Sequence, residues 1–257
     1  MKKVLWQELR RTEIEEAAKA DAVVIIPVGS TEQHGNHLPV NTDTNCCFTI
    51  AQRAAQAVDE FPVLVLPPVW TGYSPHHMEH PGTITLKYDT FVELLTQIAA
   101  CVHAHGFKKI LFLNGHGGNS AIIASLPFKL AAEEGISAMA YTYWNISPTD
   151  EVMEAISEAD KGFIGHSGEM ETSLQLYLQP ELVDMNSVIW TSGVCGDPTK
   201  GSREKGERIF ETAVNALIRL LRHYHSGKLE EELFLWRPKI SDQLINRMRF
   251  PRYSPEQ

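Results

Sequence analysis

Residues 22–35 read AVVIIPVGSTEQHG, an apolar run joined directly to a turn that is rich in polar side chains. The apolar part is too short for a typical helix and lacks the alternation of a half-exposed strand, so it predicts a fully buried strand. The same pattern recurs in ILFLNGHGGN at residues 110–119. Buried strands that end in polar turns are typical of α/β proteins, where functional groups collect at the carboxyl edge of the sheet.

Short apolar runs alternate along the chain with segments in which apolar residues recur at three- and four-residue spacing. The short runs predict buried strands, and the spaced segments predict helices. Their alternation predicts one α/β domain over residues 1–257, with a mainly parallel central sheet and helices on both faces. The predicted strands are 22–28, 63–66, 110–113 and 138–143, and the predicted helices are 44–58, 90–105, 119–134, 168–178 and 206–223.

Composition narrows the class of protein. The formal net charge of -9 disfavours a nucleic-acid partner, because phosphate binding needs a basic face. Neither a signal peptide nor a membrane partner is expected, since no apolar stretch has the required length. The four cysteines include the adjacent pair Cys46 and Cys47, which is poorly placed to form a disulfide. A reduced, cytoplasmic setting is therefore predicted.

The first polar turn contains Glu32 and His34, and Asp43 follows nine residues after His34, just before a predicted helix. Carboxylate and imidazole together suit zinc, manganese or iron, and a carboxylate can bridge two such ions. Each residue also has an ordinary structural role open to it. Asp43 could stabilise the first turn of its helix, and His34 could be a loop residue without a ligand.

His116 lies among three glycines and two asparagines, directly after a predicted strand. Glycine lets the backbone turn sharply, which brings the imidazole to the edge of the sheet. The alternative is a glycine-rich anion-binding loop. That alternative is disfavoured because the lysine of a P-loop and the spacing of a dinucleotide-binding loop are both missing.

Two acids, Glu169 and Glu171, open the predicted helix that follows His166. Acids are favourable near a helix N-terminus, so both could be no more than charges that stabilise the helix. Residues two apart on a helix point to different sides, which predicts different roles for the two carboxylates. One is expected to be a metal ligand, and the other a cap or a catalytic base.

Three motifs carry a resemblance to a known family: GSTEQHG at 29–35, NGHGGN at 114–119 and GEMETS at 168–173. In order and spacing they strongly resemble the creatininase (creatinine amidohydrolase) family, and the resemblance extends over residues 6–206. It implies a creatininase-like fold and an enzyme that hydrolyses a carbon–nitrogen bond. It also implies a homo-oligomer, often a hexamer, in which neighbouring chains help to shape the pockets.

The resemblance further implies a site for two divalent metal ions. Glu32 and His116 would hold one ion, and His34 and Glu171 would hold the other. Asp43 would bridge them. Zinc, manganese and iron all suit these ligands, and two such ions activate water and polarise a substrate carbonyl.

His166 matches the family histidine near the leaving nitrogen, where general-acid work suits an imidazole. Alternatively, it orients Glu171. Creatininases carry an aromatic residue and a glutamate after the histidine of the second motif, where this chain has Gly117 and Gly118. The usual base is therefore missing, and Glu169 is the candidate replacement.

The resemblance also extends to the substrate pocket. Trp144 matches a family tryptophan that packs on the substrate, although it could equally be a core aromatic residue. His77 matches a histidine of the pocket loop. His80 stands where many relatives carry an aromatic residue, and His76 is expected to have no catalytic role.

The leading hypothesis is hydrolysis of a small cyclic or linear amide, or of a formamide, by metal-activated hydroxide. One alternative is a creatinine amidohydrolase proper. Another is two-metal phosphoester hydrolysis, which would require a lysine or arginine near the site, and the motifs contain neither. A third is a non-enzymatic regulator that binds metal or nucleotide. Because Gly117 and Gly118 remove two side chains beside the metals, creatinine is expected to be a poor substrate.

Overall fold

Four parallel strands form the central sheet of the computed structural model, which describes residues 2–159 and 165–228. They are β1 (Val23–Val28), β2 (Val63–Val65), β3 (Lys109–Asn114) and β4 (Ala138–Thr142). Their order in the sheet is β2-β1-β3-β4. Each strand lies within one residue of its predicted bounds, so the predicted parallel sheet is confirmed.

Helices alternate with these strands, and the five predicted helices are present. Two further helices, α1 and α5, were not predicted, because α1 consists mostly of charged residues and α5 is short. The bounds are α1 (Arg11–Lys19), α2 (Thr42–Ala57), α3 (Tyr88–Ala104), α4 (Ser120–Lys129), α5 (Thr149–Ile156), α6 (Glu169–Leu178) and α7 (Arg203–His225).

The strands are buried on both faces, as their continuous apolar sequence predicts. Every residue of β1 is buried. Val24 and Ile26 belong to a core that they share with Phe91 and Leu95 of α3 and with residues of α4. Helix α2 packs instead on the other face of β1 and β2. Helices therefore cover both faces of the sheet, which confirms the predicted layers.

Two asparagines fasten the polar turns at the carboxyl edge of the sheet. Asn114 accepts a hydrogen bond from the backbone N–H of His116 and donates one to the carbonyl oxygen of the same residue. Asn119 donates to the carbonyl oxygen of Gly29 and accepts from the backbone N–H of Tyr73. The turns after β1 and β3 are thus held against each other and against the loop at residue 73.

Gly115 allows α2 to begin directly beside the end of β3. A Cβ atom at this position would lie 2.6 Å from the carbonyl oxygen of Asp43 and 2.8 Å from Cβ of Cys47. No side chain has these contacts without displacing the helix, because one of the two atoms is backbone. The glycine therefore sets the position of Asp43, which lies in the first turn of α2.

Contacts within the chain define two units, residues 1–219 and residues 220–257. Of the second unit the structure describes only residues 220–228. The single domain over residues 1–257 stays a prediction. Within the ranges 2–159 and 165–228, none of the helices combines the length and the apolar character of a membrane span.

Replacing Gly115 by alanine should destabilise the protein by about 1–3 kcal/mol, because the added methyl group overpacks the start of α2. Gly117→Ala is the matched control, since a Cβ atom at Gly117 would meet no other atom within 4 Å. Urea unfolding of both variants measures the free energy of unfolding. Equal stability of the two variants would contradict the close packing at Gly115.

Candidate metal centre

Five predicted site residues meet at the carboxyl edge of the sheet, and we call them the five-residue cluster. Glu32 and His34 come from the turn after β1, and His116 comes from the turn after β3. Asp43 and Glu171 lie in the first turns of α2 and α6. All five residues are buried. The cluster therefore combines three carboxylates and two imidazoles away from bulk water.

Asp43 lies at the centre of the cluster. Its Oδ2 is 3.0 Å from Nδ1 of His116, and its Oδ1 is 3.2 Å from Nε2 of His34. Oε1 of Glu32 lies 3.2 Å from the same nitrogen of His116, and Oε2 of Glu171 lies 3.6 Å from the same nitrogen of His34. The cluster thus has two halves, one formed by His116 and Glu32 and the other by His34 and Glu171. Asp43 lies between the halves and directs one oxygen toward each.

Backbone carbonyl groups determine which nitrogen of each imidazole faces the carboxylates. Nδ1 of His34 lies 3.1 Å from the carbonyl oxygen of Glu32, so it donates a hydrogen bond there. Nε2 of His116 lies 3.3 Å from the carbonyl oxygen of Tyr73. In each neutral ring, the nitrogen that faces the carboxylates is therefore the one free to bind a cation.

Two buried serines, which were not predicted, link the two residues of one half of the cluster, His116 and Glu32. Oγ of Ser74 is 3.1 Å from Nε2 of His116 and 2.6 Å from Oγ of Ser30. Ser30 in turn donates to Oε2 of Glu32 at 3.1 Å. This chain of hydroxyl groups holds His116 and Glu32 in a fixed relation, as polar neighbours of metal ligands commonly do.

The pKa values of the cluster show that it attracts positive charge. Burial lowers the pKa of His116, but the carboxylates of Asp43 and Glu32 raise it to about 10. Burial raises the pKa of Glu171, but His34 beside it lowers that pKa to about 2. The carboxylates therefore stay ionised at neutral pH, and a bound metal would displace the protons that the imidazoles otherwise hold.

Three buried polar atoms of the cluster lie within 3.2 Å of an imidazole or a carboxylate but form no well-aligned hydrogen bond: Oε1 of Glu32, Nε2 of His34 and Oδ2 of Asp43. A buried polar atom that lacks a partner costs free energy, and the cost is largest for charged groups. All three atoms point into the cluster, and all are donor types that divalent transition metals accept. The residues present therefore fit a metal centre.

The carboxylate of Glu169 lies outside the cluster. It accepts hydrogen bonds from Oγ of Ser157 and from the backbone N–H groups of Glu158 and Ala159, and it pairs with Lys205 at 2.6 Å. Burial raises the pKa of Glu169, but Lys205 and these hydrogen bonds lower it. A carboxylate held as an anion by so many donors is a weak proton acceptor, and its role as the base stays a prediction.

A cavity of about 300 Å³ opens beside the cluster. Trp144, His77 and His166 line it together with Gly117 and Gly118. The structure therefore brings the predicted substrate residues and His166 to the predicted ligands, but not Glu169. Burial lowers the pKa of His77 to about 4, with a further contribution from His166. The ring of His77 is therefore neutral at pH 7.

His76 also lines the cavity, although no motif in the sequence indicates a role for it. A Cβ atom on Gly118 would lie 2.9 Å from Cε1 of His76 and 2.5 Å from the carbonyl oxygen of Tyr73. The space beside Gly118 is thus already filled by the neighbouring loop. His80 is not among the residues that line the cavity; its Nε2 lies 3.2 Å from Oγ of Ser192.

The family model for creatininases, described as creatinine amidohydrolase, matches residues 7–221. The chain belongs to the creatininase family. The resemblance inferred from the three motifs is therefore confirmed, and the match includes every residue of the five-residue cluster.

Three relatives of this creatininase-family chain are named as hydrolases or peptidases. The 3-dehydro-scyllo-inosose hydrolase of Thermotoga maritima is 29% identical and aligns with 92% of this chain and 90% of its own length. Creatinine amidohydrolase of Pseudomonas putida is 28% identical over 86% of this chain and 97% of its own. The mycofactocin precursor peptide peptidase of Mycolicibacterium smegmatis is 31% identical over 80% and 87%. This creatininase-family chain is a hydrolase, as predicted.

Solved creatininase structures share the fold. One described as creatininase Mn superposes with a TM-score of 0.76 at 29% identity, over 86% of this chain and 98% of that chain. A creatininase variant described as Zn-Zn type superposes with a TM-score of 0.73 at 28% identity, over 87% and 98%. The predicted fold class is confirmed. Those structures are described with divalent metals, and this family member has candidate metal-binding groups of its own.

Replacing Glu169 by glutamine should lower the free energy of unfolding by about 1–3 kcal/mol at pH 7, because Lys205 and two backbone N–H groups lose a charged acceptor. The pKa of Glu169 is lowered from 4.5 in the folded protein, so its contribution is complete above pH 4.5 and is lost as the pH falls further. Urea unfolding at several pH values measures this.

Glu133→Gln, on the exposed surface, is the matched control and should change stability by less than about 0.5 kcal/mol. Metal content should be unchanged in both variants. Loss of metal from the Glu169 variant would contradict the position of Glu169 outside the cluster. A stability difference that does not shrink at low pH would contradict stabilisation by the ionised carboxylate.

Proposed function

We propose that the protein is a two-metal amidohydrolase that cleaves a carbon–nitrogen bond of a small cyclic or linear amide or of a formamide. One observation carries the proposal: Asp43 directs Oδ2 toward His116 at 3.0 Å and Oδ1 toward His34 at 3.2 Å. A carboxylate between two imidazoles in this way is suited to bridge two metal ions. The creatininase relatives supply the reaction class, and the cluster supplies the site.

Two divalent ions per chain would be distributed over the two halves of the cluster. Glu32 and His116 would hold one ion, His34 and Glu171 the other, and Asp43 would bridge them. Charge supports this count, because the three ionised carboxylates together carry three negative charges, more than the two positive charges of a single divalent ion. Zinc, manganese and iron remain the proposed metals, since oxygen and nitrogen ligands accept all three.

The chemistry that such ions supply is the activation of a water molecule at neutral pH and the polarisation of a substrate carbonyl group. The side chains of the cavity would bind the substrate and transfer protons. Nε2 of His166 lies 2.8 Å from the carbonyl oxygen of Gln33, so this nitrogen donates and Nδ1 is the free nitrogen. Nδ1 of His166 faces Glu32 at 3.4 Å, at the edge of the cluster.

His166 is therefore placed to accept a proton from the attacking water and to return it to the leaving nitrogen. An imidazole is suited to both steps near neutral pH. This assignment supplies the base that Gly118 cannot provide. Glu169 stays the alternative base, and a lower rate in a Glu169→Gln variant that keeps its metal would favour that role.

Substrate binding is assigned to the cavity wall. Trp144 offers an aromatic face and His77 offers a polar edge, and both line the 300 Å³ cavity. A volume of this size admits a small molecule. Because nothing lies within 4 Å of a Cβ atom at Gly117, the cavity is open where creatininases carry an aromatic residue. That opening favours an amide with a different shape from creatinine.

The cellular setting is proposed to be the cytoplasm, which the buried thiols of Cys46 and Cys47 support because both are free. A homo-oligomer such as a hexamer is also proposed. Trp70, Met78 and Ile84 support it, since each is a large apolar side chain about half exposed on the surface of the described residues.

Asp43→Ala should remove both metal ions, because this carboxylate contributes an oxygen to each half of the cluster. Glu171→Gln should lose one ion, since Glu171 belongs to a single half. Metal analysis of protein purified with and without added zinc or manganese measures both. Asp59→Ala, on the surface, is the control. Retention of two tightly bound ions by Asp43→Ala would remove the bridging role.

Creatinine should be turned over at least about tenfold more slowly than the best of a set of cyclic amides, acyclic amides and formamides. Steady-state kinetics with zinc-loaded and manganese-loaded enzyme give the comparison, and Asp43→Ala protein supplies the background rate. Creatinine turnover equal to that of every other compound would show that another group replaces the glutamate missing at Gly118. No turnover of any amide would contradict the proposed reaction.

A further inference from the structure

Gln33 contacts two imidazoles of the cavity, although glutamine is not a residue of the proposed metal centre. Its side chain is buried, and in the sequence it stands between Glu32 and His34. Its side-chain nitrogen lies 3.0 Å from Nδ1 of His77, and its backbone carbonyl oxygen lies 2.8 Å from Nε2 of His166. The two imidazoles stack on each other with ring centroids 4.1 Å apart.

The orientation of the Gln33 amide is fixed at both ends. Its Oε1 accepts from the backbone N–H of Gly35 at 3.0 Å, and its Nε2 donates to the carbonyl oxygen of Gly193 at 2.8 Å. A flipped amide would place a donor against an N–H group and an acceptor against a carbonyl oxygen. The nitrogen that faces His77 is therefore the donor end of the amide.

This orientation decides the tautomer of His77. Because the Gln33 amide donates to Nδ1 of His77, this nitrogen carries no proton, and Nε2 of the neutral ring carries it instead. Nε2 is the nitrogen that faces Oε1 of Glu32, at 3.6 Å. His77 therefore presents an N–H group to the cavity beside the cluster.

His166 has the opposite arrangement. The carbonyl oxygen of Gln33 can only accept, so Nε2 of His166 carries the proton of the neutral ring. The side-chain nitrogen of Gln33 lies 3.0 Å from the same atom, but its two hydrogens are directed to Gly193 and His77. His166 therefore presents a bare Nδ1 to Glu32, at 3.4 Å.

We propose that Gln33 is a positioning residue that sets the protons of His77 and His166, so that His77 donates a hydrogen bond to the substrate while His166 accepts a proton. The use of both groups on an amide rests on the proposed function. The N–H group of His77 calls for a hydrogen-bond acceptor on the substrate, which favours amides that carry an acceptor within reach of His77. The same proton makes His77 unsuitable as a ligand for a third cation beside Glu32 and His166, although the three side chains lie close enough to form such a site.

The tautomers can be observed directly in the zinc-loaded enzyme, because zinc is diamagnetic. Histidine labelled with ¹⁵N and two-dimensional NMR distinguish a protonated Nδ1 from a protonated Nε2, and His77→Gln and His166→Gln identify the signals. Both His77 and His166 should carry the proton on Nε2. A proton on Nδ1 of His77 in the unaltered protein would overturn the proposal.

Gln33→Glu tests whether the Gln33 amide sets the tautomer of His77, because a carboxylate can only accept a hydrogen bond. The proton of His77 should move to Nδ1, while two metal ions are retained. With the amide that is turned over fastest, kcat/KM should fall about 10- to 100-fold, because the substrate acceptor then faces a bare nitrogen. Gln33→Met, which has neither donor nor acceptor, should give a mixture of tautomers and serves if Gln33→Glu does not fold.

A His77→Gln background separates an effect on the tautomer of His77 from general damage to the site. The amide of a glutamine at position 77 donates a hydrogen bond whichever residue stands at position 33. Adding Gln33→Glu to His77→Gln should lower kcat/KM by less than about threefold. An equal loss in both backgrounds would mean that Gln33 acts only on structure, and would overturn the proposal. The NMR result does not depend on turnover, so failure of the proposed reaction and failure of the tautomer assignment remain distinguishable.

Discussion

The burial of three carboxylates at one point is the constraint on which the rest of the site depends. Removing one ionised group from water costs several kcal/mol even after relaxation, on the order of 5 kcal/mol. Two of the three acids, Asp43 and Glu171, lie in the first turns of α2 and α6, where helix dipoles favour negative charge. His34 and His116 offset more of the cost. The charge that remains distinguishes this candidate cation site from an ordinary polar core.

Sheet order explains why the ligands meet. From β1 the chain passes to β2 on one side and then crosses to β3 on the other, so the turns after β1 and β3 diverge. A crevice at the carboxyl edge opens where the connections diverge in this way. Glu32 and His116 come from those two turns, and Asn119 ties the turns together through Gly29. Residues 84 positions apart in sequence, 32 and 116, thereby become neighbours at 3.2 Å.

The sequence predicted the strands, most helices and the location of the site because each has a local signature. Apolar runs followed by polar turns predict strand ends, and family motifs predict the five-residue cluster. Helix α1 was missed because most of its residues are charged and only Ile14, Ala17 and Ala18 pack on the core. The contacts of Glu169 with Lys205 and those of Gln33 with His77 join residues far apart in the chain. Such contacts follow from packing, and no spacing in a single sequence encodes them.

The packing around Gly118 limits which residues position 118 can hold. In this backbone any side chain at position 118 would meet Nε2 of His116 at 2.4 Å and the carbonyl oxygen of Tyr73 at 2.5 Å. An acidic residue can therefore be accepted here only after the loop that carries Tyr73 and His76 has moved. In this backbone, a side chain at position 118 and the present placement of Tyr73 and His76 therefore exclude each other.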